Sequence, residues 1–346
     1  MLRTLRVKNL GCFAEDGCSV EFAQETLLAG PNNSGKSMFI ACINLLRNSL
    51  IAGSQSWSND FYNLVGFHEA VHGHEIDRNI EISMTVFRDS KEFSFHLRIG
   101  ARVPFYIRVD EAGKLRSPSS QDVDFIRSIW YLRPNRSSVP YSAIVQPTSG
   151  VLQPLNPDGS NVINFLLERW TDRDKNWDVV EKWLKKIDAD MTEMKTPIRG
   201  NNVYFETAFG NVPVNVSLQG SGLQNASAII ATVVFAPDDS TIVIEEPEAF
   251  LHPSSQEVIV DILNDAVVNH NKQVIFSTHS CNILLPFYND VGSDGARRGQ
   301  EHVRADPERF NMWTFKKASG KASVGQYPIQ KKTFRQFRED FKHIWG

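Results

Sequence analysis

Gly30-Pro31-Asn32-Asn33-Ser34-Gly35-Lys36-Ser37 follows the apolar run Thr26-Leu27-Leu28-Ala29 and precedes Met38-Phe39-Ile40-Ala41. The stretch fits the spacing G-x-x-x-x-G-K-[ST] in its confirming context, a strand before it and a helix-like run to about Asn48 after it. In such a loop, backbone N–H groups curl around a nucleotide's phosphates. Lys36 neutralises charge there, and the Ser37 hydroxyl is free for Mg²⁺. This is the pattern of a P-loop on an α/β sheet; the competing reading is an ordinary glycine-rich turn.

A chain of 346 residues can bury a large core, and its length allows one elaborated domain or two. With 41% hydrophobic and 22% charged residues the composition is that of an ordinary soluble protein. A net charge of −3 does not favour a protein that coats nucleic acid, although a local basic surface can sit within a neutral total. Cys12, Cys18, Cys42 and Cys281 have no C-x-x-C spacing and read as reduced thiols. No apolar run is long enough to span a bilayer, and Met1-Leu2-Arg3-Thr4 does not open a signal peptide. The expectation is a cytoplasmic protein with no membrane partner.

Leu5 and Val7, then Val20 and Phe22, alternate with polar neighbours and predict two short strands ahead of the P-loop strand. Three further alternating runs, Ile80/Ile82/Met84/Val86, Phe93/Phe95/Leu97/Ile99 and Phe105/Ile107/Val109, predict an antiparallel β-subdomain inserted after the first helix. From Asn161 to Met194 the pattern is helical, with Val179, Val180, Trp183, Leu184 and Ile187 on one face. No heptad repeat is sustained, which excludes a long coiled-coil arm. The expected organisation is a P-loop lobe (1–53), the β-subdomain (54–150), a helical insertion with return strands (151–216), a second motif cluster (217–290) and C-terminal strands with an amphipathic helix (291–346).

In that second cluster Gln219-Gly220-Ser221-Gly222-Leu223-Gln224-Asn225 precedes the apolar run from Ala228 to Phe235. A Ser-Gly turn opening a helix presents N–H groups and a hydroxyl to an anion; an ordinary helix cap is the alternative. Thr241-Ile242-Val243-Ile244 is a β-branched run ending in Glu245-Glu246-Pro247-Glu248. Carboxylates at the end of a buried strand sit where α/β sheets bind ligands. One can hold the water shell of Mg²⁺ and the next can act as base toward an attacking water, against the alternative of a solvated acidic turn. Gln273-Val274-Ile275-Phe276-Ser277 is another apolar strand, and His279 just after it is suited to reach a γ-phosphate.

Taken in order, these motifs resemble the ATPase domain of ABC proteins, and more closely its RecF/SMC-like branch with the OLD family. In that resemblance GPNNSGKS is the Walker A motif, and Ser221, Gly222 and Gln224 match the signature motif. Glu245 and Glu246 match the Walker B residue and the catalytic glutamate, in an E-E-P-E-x-x-L-H-P stretch that runs to Pro253, and His279 matches the switch histidine. Glu245 stands where an aspartate is commoner, and Gln146 is a weak candidate for the Q-loop glutamine. The resemblance implies a P-loop ABC ATPase head with a central mixed sheet, using ATP and Mg²⁺. It further implies that two heads dimerise so that the Ser-Gly of one closes over the nucleotide held by the other, with Lys36, Glu246 and His279 carrying out hydrolysis. Only 66 residues follow Ser280, too few for the nuclease domain that OLD relatives often carry. The expected partner is therefore a separate effector, such as a nuclease or toxin of an anti-phage defence system; a head acting directly on DNA is the rival.

Three stretches remain ambiguous. His68-Glu69-Ala70-Val71-His72 matches H-E-x-x-H, which binds zinc when it lies on a helix, but Gly66 and Gly73 bound it as a loop. Phe334, Phe337, Phe341 and Ile344 share a helical face suited to core packing, to a partner, or to a nucleic-acid or membrane surface. Arg133 and Arg136 either line a phosphate path or pair with carboxylates.

Overall fold

The protein is described by a computed structural model covering residues 1–52, 67–88, 90–100, 106–134, 136, 139–146, 154–284, 309–327 and 339. The chain forms two compact units: Met1–Ile129 with Ile275–His279 and Asp306–Gly346, and Trp130–Val274 with Ser280–Ala305. The amphipathic C-terminal face, Phe334 to Ile344, lies outside the described residues.

The first unit opens with β1 (Leu2–Lys8), β2 (Cys18–Glu21) and β3 (Glu25–Ala29), followed by α1 (Lys36–Ala52). β3 is buried at every position, including Glu25, where burial pushes the carboxyl pKa up to about 8. After α2 (Phe67–Ala70) come β4 (Ile80–Arg88), β5 (Lys91–Ile99), β6 (Tyr106–Glu111), β7 (Lys114–Arg116) and α3 (Ser120–Arg127). The first two alternating runs are thus strands, as is the third from Tyr106 on, Phe105 lying outside the described residues, and they join one sheet in the order β2-β1-β4-β5-β6-β7. β1 and β2 belong to this sheet and not to the one that carries the P-loop. β1 pairs antiparallel with both β2 and β4, setting Leu5 opposite Val20 and Met84 with all three side chains buried on one face. α1 packs against β1, β4 and α3.

The second unit contains β8 (Ile129–Leu132) beyond its first residue, then β9 (Ala143–Ile144), α4 (Val162–Thr171) and α5 (Trp177–Ile187). The predicted helical stretch is therefore two helices, separated where Arg173 turns left-handed (φ 53°). Val180 and Leu184 are buried, while Val179 turns outward. β10 (Glu193–Lys195), β11 (Ile198–Arg199), β12 (Asn202–Val203), β13 (Glu206–Phe209) and β14 (Val212–Asn215) make two small sheets, β10-β13-β14 and β11-β12-β9.

Next come α6 (Ser221–Phe235), β15 (Thr241–Glu245) and α7 (Pro253–His270). α6 packs against α4, α5 and α7, and 11 of its 15 residues are buried. At its carboxyl end the buried Lys272 ammonium donates to Val233 O at 2.8 Å, and burial lowers its pKa. The Leu251-His252-Pro253 stretch caps α7: His252 Nδ1 accepts from Ser254 N, and Pro253 takes the first turn.

β16 (Gln273–Thr278) is buried throughout and shared: Gln273 and Val274 belong to the second unit and Ile275–Thr278 to the first. β17 (Phe310–Ala318) and β18 (Lys321–Gln326) return to the first unit, where the strand order is β18-β17-β3-β16. In the second unit the order is β16-β15-β8. β17 runs parallel to β3, from Phe310 opposite Glu25 to Thr314 opposite Ala29. Phe39 of α1 stacks edge-on against Phe13 and Phe315, with ring centroids 5.9 and 5.5 Å away.

The H-E-x-x-H stretch is not helical across its length. α2 ends at Ala70, Val71 bridges to Leu10, and His72–His74 form a 3-10 turn with Gly73 at φ 64°. His72 Nδ1 lies 2.6 Å from Gly11 O, and His74 stacks on His68 with ring centroids 5.4 Å apart. Among the described residues no three His, Cys, Asp or Glu side chains converge on a metal position. Among the same residues no helix is long and apolar enough to cross a membrane.

Candidate nucleotide site

In the first unit, the loop from Gly30 to Gly35 connects β3 to α1. Lys36 is only 4% exposed, so its ammonium must find acceptors. It donates to Gly30 O at 2.6 Å and Pro31 O at 2.9 Å, with Ser34 Oγ at 3.5 Å. The loop thus wraps its own lysine. Asn32 and Asn33 are exposed, Asn33 is left-handed (φ 62°), and Ser37 sits half-buried in the first turn of α1. His279 follows β16, the neighbour of β3, and is half-buried.

Gly30 has φ 155°, and a Cβ there would lie 2.4 Å from the Phe315 carbonyl of β17. Gly30→Ala should therefore destabilise the protein by about 3 kcal/mol, because backbone must move. Gly113→Ala serves as control: its φ of 81° carries strain, but its Cβ would meet nothing within 4 Å. Urea unfolding of the two variants checks this, and equal losses would refute the clash.

In the second unit, β15 ends at Glu245, which is fully buried and accepts a hydrogen bond at Oε1 from the Tyr131 hydroxyl. Glu246, the next residue, is half-buried with a left-handed backbone (φ 44°). Arg136 is 8% exposed and lies against this turn. Its Nη1 donates to Arg133 O at 2.8 Å and Glu245 O at 3.1 Å, its Nη2 to Glu246 O at 3.0 Å, and its Nε to Asn225 Oδ1. Burial pulls the guanidinium down to about 10, opposed by Glu248, Glu245 and Glu246, so it stays charged at neutral pH.

Helix α6 begins with Ser221 exposed and Gly222 half-buried, and its N-cap, Gly220, has no side chain to occupy the first N–H groups. A Cβ on Gly222 would lie 3.0 Å from Phe250 O, so this position admits little beyond hydrogen. Leu218 and Phe250 are exposed at 71% and 65%. The Gln224 amide is engaged inside the unit: Oε1 accepts from Val139 N at 2.9 Å, and Nε2 donates to Gln219 O at 2.9 Å and Ser217 O at 3.3 Å. Gln146 is exposed two residues beyond β9.

Tyr131, Arg136 and Asn225 gather around the acidic turn, and sequence reasoning did not assign any of them to it. Tyr131 was hidden in an apolar run; Asn225, a polar residue opening an apolar helix, was the available signal. Hydroxyl and carboxylate oxygens, as at Ser37 and Glu245, are the hard donors that Mg²⁺ takes, so the residue types fit that ion.

A protein-family model described as "AAA domain, putative AbiEii toxin, Type IV TA system" matches residues 26–285. The OLD nuclease of Thermus scotoductus is 24% identical over 86% of this chain and 61% of its own length. Endonuclease GajA of Bacillus cereus is 30% identical, over 30% of this chain and 18% of its own. The chain thus spans less than two thirds of either relative.

Among solved structures, an SMC head bound to the C-terminal winged-helix domain of ScpA superposes with a TM-score of 0.58 at 11% identity, covering 95% of this chain and 99% of that one. The SMC head domain of Thermotoga maritima gives a TM-score of 0.51 at 12% identity, covering 94% and 98%. These likenesses establish the fold, that of a P-loop ABC ATPase head. Because the family model spans three quarters of the chain, the protein belongs to that AAA family, as a P-loop ATPase of the OLD/SMC/RecF type.

Proposed function

We propose that the chain hydrolyses ATP with Mg²⁺, and that two copies close around the nucleotide to gate a separate effector protein. The observation that carries this reading is the amino end of α6. Exposed Ser221 opens a helix without a side-chain cap, and Leu218 and Phe250, both largely exposed, flank it. An anion site with an apolar rim suits a nucleotide presented by a second copy of the chain. A soluble protein gains little by leaving such a rim in water.

In this reading the Gly30–Ser37 loop binds the phosphates, Lys36 stabilises charge on the γ-phosphoryl group, and Ser37 and Glu245 would hold Mg²⁺. The ion, when bound, neutralises phosphate charge. Glu246 accepts the proton of the attacking water, and His279 donates to the transferring phosphoryl group. Ser221 and Gly222 close the site from the other copy, with Gln224 holding their helix to the Val139 backbone. The free thiols Cys12, Cys18 and Cys42 suit the reducing cytoplasm. The family description and the OLD and GajA likenesses support a defence role in which the effector is a nuclease or toxin.

Solution mass tests the assembly: wild type and Glu246→Gln are measured with and without ATP and Mg²⁺, in the presence and absence of DNA. A nucleotide-dependent dimer that ignores DNA is expected. A dimer that forms only with DNA would favour a head acting on DNA directly, and no nucleotide-dependent assembly would remove the composite site.

A further inference from the structure

A buried arginine is costly, and an apolar residue of similar size would fill the place of Arg136 without the desolvation penalty. The donors of Arg136 are directed at three separate segments: the Arg133 carbonyl of its own loop, the Glu245 and Glu246 carbonyls of the acidic turn, and the Asn225 side chain of α6. None of these bonds goes to a carboxylate. The guanidinium fork is used as a three-way clasp on backbone and amide oxygens.

The turn needs such a clasp. Glu246 has φ 44°, a conformation that glutamate adopts only when the surroundings impose it. Arg136 Nη2 holds its carbonyl at 3.0 Å. One more tie runs between α6 and the same turn, Asn225 Nδ2 donating to Ala249 O, and the Phe250 carbonyl takes the space that a Cβ on Gly222 would need. Arg136 and Asn225 thus connect α6 to the Glu246 turn.

We propose that Arg136 is a positioning residue that sets the Glu246 turn and couples it to the first turn of α6. Occupancy of the Ser221 anion site by one nucleotide then adjusts the glutamate that serves the other nucleotide of the pair. This inference rests on the function proposed above.

The test measures steady-state ATP turnover and fluorescent-ATP affinity for Arg136→Met, Arg136→Lys, Asn225→Ala and the double variant Arg136→Met/Asn225→Ala. Lysine keeps the buried charge without the fork and carries the test if the methionine variant does not fold. Arg136→Met and Arg136→Lys should each lower kcat about tenfold or more, with affinity within about threefold of wild type. The double variant should be no slower than Arg136→Met, because both residues act as one unit.

Three results would overturn the proposal: wild-type kcat in Arg136→Lys, parallel losses of kcat and affinity, or multiplying effects of the two substitutions. Should wild type turn over no more ATP than Glu246→Gln, the proposed function itself fails and this coupling falls with it.

Discussion

Glu246→Gln is expected to slow ATP turnover by a factor of about 10²–10⁴, the usual contribution of a positioned general base. The amide keeps the size and hydrogen-bonding reach of the carboxylate but cannot accept the proton of water. Nucleotide affinity should stay within about threefold of wild type, because the substitution removes an interaction made in the transition state. Glu246 follows a fully buried β15 and its backbone is held by Arg136, so the change is confined to the carboxylate end. Phosphate release measured beside fluorescent-ATP binding checks both halves. Turnover within a factor of three of wild type would show that another group takes the proton.

Lys36→Ala should act on the other half of the cycle, weakening ATP binding by about 10²-fold through loss of charge-assisted bonds to phosphate. It should also cost stability. Gly30 O and Pro31 O, which now accept from the Lys36 ammonium, would be left to find new donors. An unmade hydrogen bond of this kind costs about 1–3 kcal/mol. Titration with a fluorescent ATP analogue separates the two effects when paired with a melting curve. Unchanged affinity would mean that the phosphates lie elsewhere.

The P-loop and the acidic turn were legible to different degrees. The P-loop was readable because everything it needs is local: an apolar strand, eight residues of fixed spacing and a helix. The sheet of the first unit was readable from alternation, since Ile80, Ile82, Met84 and Val86 all point into the core. Its membership was not, because the pairing of β1 with β4 joins segments about 80 residues apart that carry no mutual signal in the chain. The same holds for the acidic turn. Arg136 reaches Asn225 across 89 positions and Tyr131 reaches Glu245 across 114, separations that only the folded sheet closes. Arg136 lies among Glu248, Glu245 and Glu246, whose charges favour its own, while its hydrogen bonds go to carbonyls and an amide. Gln224 matched a motif, yet its amide is engaged with Val139, Ser217 and Gln219, which a motif match does not reveal.

Helix α6 is about 22 Å long at the usual rise per residue, buried along most of its length and fastened at its carboxyl end by the Lys272 ammonium. A positive charge there complements the helix dipole and stiffens the last turn against fraying. The helix therefore behaves as a strut. Burial along most of its length and the tie at Val233 leave it little room to bend between Ser221 and its carboxyl end.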